Sequence, residues 1–208
     1  MPLLIVNLKS RIINAHMKIG VLALQGAFHE HMKMLNQLGV EAVEVRLPAD
    51  LDGLSGLIIP GGESTTIGKL AVIYKLMEPL RAFAAKKAVW GTCAGMIFMA
   101  KDIGIDQPLL GIMDIVVERN AFGRQVDSFE TALNIDGLSG DKPFPAIFIR
   151  APRLVEAQAG TQIISTLEDG TAVAAKQGNW LVTSFHPELT GDDRIHQMFI
   201  DMAQAINE

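Results

Sequence analysis

Three short apolar runs, KIGVLAL from Lys18, GLII from Gly56 and AVW from Ala88, each lead through a glycine-bearing turn toward a helical pattern. Apolar runs of strand length without polar alternation imply strands buried on both faces, as in a parallel sheet covered by helices. His29 to Leu38 has helical spacing and stops at Gly39, and Val40 to Leu47 alternates as a second strand. Pro60-Gly61-Gly62 ends the Gly56–Ile59 run, and Ser64 is placed to cap a helix through Ile67, Leu70 and Ile73. Another helix is predicted from near Pro79 through Leu80 and Phe83 to Ala85. After the strand Ala88–Trp90, GTCAG opens directly into the helical AGMIFMA. This alternation predicts an α/β fold, a three-layer α/β/α open and mainly parallel sheet, with its ligand site at the C-terminal ends of the strands.

Beyond Gly111 the pattern changes to strand-like segments at Ile112–Val117, Ser128–Ile135, Ala146–Ile149 and Ile163–Leu167. Asp169-Gly170 and Gly178-Asn179 read as hairpin turns joining Ile163–Leu167, Thr171–Ala175 and Trp180–Phe185, which adds antiparallel strands to the parallel core. A final helix carries Ile195, Met198, Phe199, Met202 and Ile206 on one face. With 208 residues, 49% hydrophobic and 20% charged, one domain over residues 17–208 is expected. Residues 1–16 differ in texture: Leu3–Val6 is too short for a membrane span or signal core, and Met17 is a possible start. The arm is expected to be an extension outside the domain.

A net charge of -5 supplies no basic surface for phosphates, so neither nucleic acid nor membrane is an expected partner. The single cysteine, Cys93, forbids an internal disulfide and suits a reducing compartment, so a cytoplasmic location is expected. His29-Glu30-His31 would put its histidines on nearly opposite sides of a helix, which reads as a solvated face rather than a metal site. Gly68-Lys69 resembles part of a phosphate loop, but Glu63 stands where glycine is needed and Leu70 replaces Ser or Thr. The ten methionines read as core filling. No metal or cofactor is expected.

Gly91-Thr92-Cys93-Ala94-Gly95 lies between a strand and a helix, where flanking glycines permit the tight turn that presents a nucleophile. The helix start would offer backbone N–H groups and favour a thiolate. A lone cysteine is also commonly a small buried hydrophobe, and the elbow alone leaves both readings open. In Ser184-Phe185-His186-Pro187-Glu188, an extended segment would put His186 and Glu188 on one side, Pro187 arguing against a helix. A carboxylate so placed holds an imidazole in the tautomer that takes a thiol proton. HPE in isolation also fits a surface strand end; together with the elbow it makes a Cys-His-Glu triad. Pro60-Gly61-Gly62-Glu63-Ser64 can bring backbone N–H donors close to an oxyanion.

PGGES, GTCAG and SFHPE, in that order, resemble the class I, triad-type glutamine amidotransferases. ALQGAFHEH, IIPGGESTT, VERNAFGRQVDSFE, FIRAP and SFHPELT resemble, within that class, the glutaminase subunits of pyridoxal 5'-phosphate synthase, over nearly all of residues 17–205. The resemblance implies hydrolysis of L-glutamine to glutamate and ammonia, and transfer of ammonia to a separate barrel-fold synthase subunit that builds the vitamin B6 coenzyme. It implies Cys93 as nucleophile, His186 as general base and later acid, and Glu188 as orienting carboxylate. Gly62, Glu63, Ser64, Arg119, Ile149 and Arg150 would touch glutamine, and the backbone N–H groups of Gly62 and Ala94 would hold the oxyanion. Gly61-Gly62 is expected to switch on docking of the synthase, the isolated chain being a poor glutaminase. A glutaminase for another ammonia-using synthase is disfavoured by RNAFGRQ and IRAP, and a silent assembly subunit by the presence of all three triad residues.

Overall fold

The computed structural model describes residues 17–119, 128–158 and 160–206. The arm 1–16 and most of the RNAFGRQ segment lie outside the described residues.

In chain order the elements begin with β1 (Lys18–Leu22), α1 (Phe28–Gln37), β2 (Glu41–Val45), β3 (Gly56–Ile59), α2 (Ser64–Ile73), α3 (Met77–Ala84), β4 (Ala88–Thr92) and α4 (Ala94–Met99). There follow β5 (Ala100–Asp102), β6 (Met113–Glu118), β7 (Ser128–Leu133), β8 (Phe144–Ile149), β9 (Arg153–Ala157), β10 (Gln162–Thr166), β11 (Ala172–Gln177), β12 (Trp180–Thr183) and α5 (Arg194–Ala205). Among the described residues a ten-stranded sheet runs β2-β1-β3-β4-β12-β11-β9-β6-β5, with β10 paired to β11. The stretch from β2 to β12 is parallel. Beyond it, β12–β11, β11–β9 and β9–β6 are antiparallel, so the predicted addition of antiparallel strands to a parallel core is what the chain does.

Alternation along the buried strands builds two cores. Leu57 and Ile59 of β3 and Val89 of β4 face a cluster with Ile67, Ala71 and Leu80 of α2 and α3. Ile58 and Trp90 face the other, with Leu35 of α1 and Ile195, Phe199 and Ala203 of α5. That second face is also covered by the β7–β8 ribbon, through Leu133, Phe144 and Phe148, as a sheet of its own rather than an extension of the main one. Gly39 ends α1 as expected: at φ +80 it lets its own N–H reach Asn36 and that of Val40 reach Leu35, the paired bonds of a Schellman cap.

Several expectations differ in detail. β4 continues through Gly91 to Thr92, because pairing with β12 holds it extended to the turn. α3 starts at Met77, ahead of Pro79, and β5 and β9 were not expected; both are short and only partly buried, so their sequences carry little periodicity. Glu63, not Ser64, caps α2: its carboxylate accepts the N–H of Thr65 at 3.1 Å and of Thr66 at 2.7 Å, while Ser64 is already in the helix.

Candidate active site

The parallel register brings the functional turns together. Gly91 of β4 lies opposite Ile59 of β3, and Thr92 lies opposite Thr183 of β12. The segments leaving these strands, 60–63, 93 and 184–186, therefore emerge side by side at the C-terminal end of the sheet.

Cys93 follows β4 and precedes α4 with φ +48 and ψ −104, a conformation that costs a non-glycine residue about 1–3 kcal/mol. The flanking glycines are required by space: a Cβ on Gly95 would lie 2.0 Å from the Ile59 carbonyl oxygen, and one on Gly91 would meet the backbone of Gly95 at 2.6 Å. The N–H of Cys93 donates to Thr183 O at 2.8 Å, and its Sγ lies 4.0 Å from Ile149 O at the end of β8.

His186 Nδ1 donates to Glu188 Oε1 at 2.7 Å. The sequence pointed to an extended segment here; the chain instead makes a 3-10 turn over Pro187–Leu189 with Pro187 at its first position, where its missing N–H is no loss. The Glu188 carboxylate is wholly buried, and the imidazole is nearly so. Burial opposes a charge on His186, but hydrogen bonds and charge from Cys93 and Glu188 outweigh it and push the imidazole pKa up to about 10. Gly61 sits between the two partners: a Cβ there would lie 2.5 Å from His186 Cε1 and 3.4 Å from Cys93 Cβ.

His31 overturns the solvated-face reading of the HEH motif. His29 is exposed, but His31 is fully buried with Met34 and Leu35 on the inner face of α1. Its Nδ1 lies 2.9 Å from Nε2 of the buried His196 on α5, and its Nε2 is 3.3 Å from Thr92 Oγ1 and 3.4 Å from Glu188 Oε2. The sequence signal was the spacing of His31 with Met34 and Leu35, which places it on the apolar stripe.

A cleft of about 450 Å³ opens over Cys93. Its wall includes Gly62, Glu63, Ser64, Ala94, Arg119, Ile149, Arg150 and His186, while Glu188 stands behind His186. Arg119 ion-pairs with Glu63 at 3.2 Å and donates to Gln107 Oε1 at 2.9 Å and Thr65 Oγ1 at 3.2 Å. Burial would raise the Glu63 carboxyl, but donors from Thr66 and Thr65 hold it down at about 2. Arg150, at φ +44, is a second strained residue on the wall. Gln25 also lines the cleft, its Oε1 accepting the N–H of Glu63 at 2.6 Å. Gln107, which ties Ser64 to Arg119, was missed because nothing local marks it.

Residues 21–205 match the model of the SNO glutamine amidotransferase family. The chain belongs to that family. Among glutamine amidotransferases of known structure, one shares 48% of its sequence with this chain at a TM-score of 0.85, covering 89% of this chain and 98% of the other. The chain is 58% identical over 195 residues to "Pyridoxal 5'-phosphate synthase subunit PdxT" of Dehalococcoides mccartyi, covering 91% of this chain and 98% of that one. It is 55% identical over 191 residues to the protein of the same name from Herpetosiphon aurantiacus, covering 89% of this chain and all of the relative. Glutamine amidotransferase chemistry needs a nucleophile, a proton carrier and a site for an amino acid, and the cleft holds groups suited to each. Among the described residues no helix is long and apolar enough to cross a membrane.

Proposed function

We propose that this chain is the glutaminase subunit of a pyridoxal 5'-phosphate synthase, hydrolysing L-glutamine and handing ammonia to the synthase subunit. The observation that carries the chemistry is the arrangement of His186, bonded through Nδ1 to the buried Glu188 and lining one cleft with Cys93 on its strained elbow. The partner follows from the relatives, which carry the synthase-subunit name along nearly their whole length.

In the proposed mechanism the Cys93 thiolate attacks the side-chain amide carbon, and the carbonyl oxygen gains the negative charge. Backbone N–H groups of Gly62 and Ala94, both on the cleft wall, receive it. The His186 imidazolium then gives its proton to the leaving nitrogen, and the C–N bond breaks to release ammonia and leave a thioester. His186, now neutral, takes a proton from water as the water attacks the thioester. Collapse expels the Cys93 thiolate and yields glutamate, with the proton again on His186. Glu188 stays anionic and holds the ring in place. Arg119 and Arg150 supply positive charge for the substrate's α-carboxylate.

The test is glutamate release and pyridoxal 5'-phosphate formation from glutamine, a pentose phosphate and a triose phosphate by the chain mixed with the barrel-fold synthase subunit. Glutamate release without coenzyme formation in that mixture would point to another ammonia-using synthase.

A further inference from the structure

Glu188 uses one carboxylate oxygen on His186 and leaves the other in the interior. Oε2 is buried and has no ordinary hydrogen-bond partner among the described residues. A buried carboxylate oxygen without a donor is expensive, and charge makes it more so. His31 Nε2 lies 3.4 Å from it, both side chains being completely buried. We propose that His31 is a positioning residue for the catalytic carboxylate, presenting Nε2–H to Glu188 Oε2 with His196 behind it fixing that tautomer. The inference rests on the glutaminase reading above and adds to it a fourth and a fifth side chain.

The tautomer follows from what each nitrogen faces. With the proton on Nδ1, the Nε2 lone pair of His31 would point toward a carboxylate oxygen, and the buried Nδ1 of His196, which has no partner among the described residues, would carry an unused N–H. With the proton on Nε2, His31 donates toward Glu188 Oε2 and Thr92 Oγ1, and its Nδ1 accepts from His196 Nε2–H at 2.9 Å. That leaves a lone pair rather than a donor unpaired on His196. Donation then runs from His196 to His31 to Glu188, whose other oxygen receives His186. The 3.4 Å contact has room to shorten in the substrate complex.

Both outer rings are neutral. Desolvation above all, with the repulsion a second ring charge would meet from His196 and His186, pushes His31 well below its ordinary value, and desolvation takes His196 down to about 3. The groups facing His31 are Thr92 and the edge of Trp90 from β4, Glu188 and His186 from the loop after β12, and His196 from α5. Trp90 also lies edge-on to His196, with ring centroids 4.9 Å apart, so the pair has little freedom to turn. A neutral donor orients the carboxylate without cancelling the charge that His186 needs.

The first measurement uses the unaltered chain. Nitrogen-15 spectra of its histidine rings should show His31 as the neutral Nε2–H tautomer between pH 6 and 8; the Nδ1–H tautomer would overturn the proposal. The second compares His31→Leu, which fills the space without a donor, with His31→Gln, whose amide nitrogen occupies about the position of Nε2. With the synthase subunit present, His31→Leu should lose about 10–100-fold in kcat, the usual effect of removing an outer partner, with KM for glutamine changed less than about twofold. Its alkylation of Cys93 by iodoacetamide, read on the chain alone, should slow at neutral pH with the rate profile displaced to higher pH. His31→Gln should recover most of both. Equal kcat and equal alkylation profiles for the two variants would show that His31 only fills space. Alkylation and tautomer need no glutamine, so an unaltered chain that releases no glutamate defeats the glutaminase reading separately.

Discussion

Glu188 holds His186 across a single proline: Oε1 lies 2.7 Å from Nδ1, and the 3-10 turn that begins at Pro187 keeps the carboxylate behind the ring. Nucleophile and proton carrier act as a unit in the proposed mechanism, whereas the carboxylate orients. His186→Asn should therefore reduce glutaminase kcat about as much as loss of Cys93, and Glu188→Gln less. The double variant should be little worse than His186→Asn alone. Fully additive losses in steady-state kinetics would separate the two residues functionally.

Cys93→Ala should abolish the thioester route and reduce activity by several orders of magnitude. It should not unfold the chain, because alanine keeps the Cβ and the Cys93 N–H bond to Thr183 at 2.8 Å is made by the backbone. Replacement by glycine should raise thermal stability instead, since it relieves φ +48. Activity of Cys93→Ala within about tenfold of the parent, only ~1.4 kcal/mol of barrier, would end the proposal.

Arg119 is braced by Glu63, Thr65 and Gln107, so its guanidinium is held at the cleft wall before substrate arrives. Arg119→Ala should raise KM for glutamine about tenfold or more, Arg119→Lys should recover part of that, and Gln107→Leu should raise KM less. Arg150→Ala should also raise KM. Unchanged KM in both alanine variants would move the carboxylate site away from these residues.

Stability should fall toward acid pH because of His31 and His196. Both have folded pKa values below the ordinary 6.5, so the unfolded chain binds more protons under acid conditions. For both, the contribution is complete above about pH 6.5 and falls as pH drops below it; for His196 the loss runs on toward about 3, with a slope of about 1.4 kcal/mol per pH unit. His186 has the opposite sign: its raised pKa adds stability below 6.5 that disappears as pH rises through about 10. Urea titrations across pH should show a shallower acid limb in His196→Leu than in the parent.

Docking of the synthase subunit should raise glutaminase activity at least tenfold over the isolated chain. The Gly61 carbonyl is tied to Ala27 N–H at 3.0 Å, which sets the orientation of the next amide, that of Gly62. Rotating this peptide costs one backbone hydrogen bond, on the order of 1 kcal/mol, a barrier that docking contacts on the 25–27 loop can offset. Kinetics with and without saturating partner decide the matter, and a ratio near one would make the turn a fixed part of the site.

The parallel strands, the elbow and the glycine that ends α1 were legible because each depends on neighbours within a few residues. Short apolar runs need both faces covered, Gly91 and Gly95 bracket Cys93, and Gly39 follows an apolar stripe. Ser64 was misread as a cap because local preference ranks serine highly, while Glu63 gained both Thr65 and Thr66 as donors and Arg119 as counterion. The β7–β8 ribbon was visible as strands, but its separation from the main sheet depends on which face of the core remained uncovered.

Residue spacing pointed to a turn at Cys93 and to His186 and Glu188 facing one site, though through an extended segment rather than the 3-10 turn that joins them. Tertiary structure alone decided that Thr92 and Thr183 stand opposite each other, which puts Cys93 beside His186 from the far end of the chain. It alone turned His31 inward to His196 and Glu188. A helix stripe says that a residue is buried, but its partner is chosen by how the sheet packs the helices together.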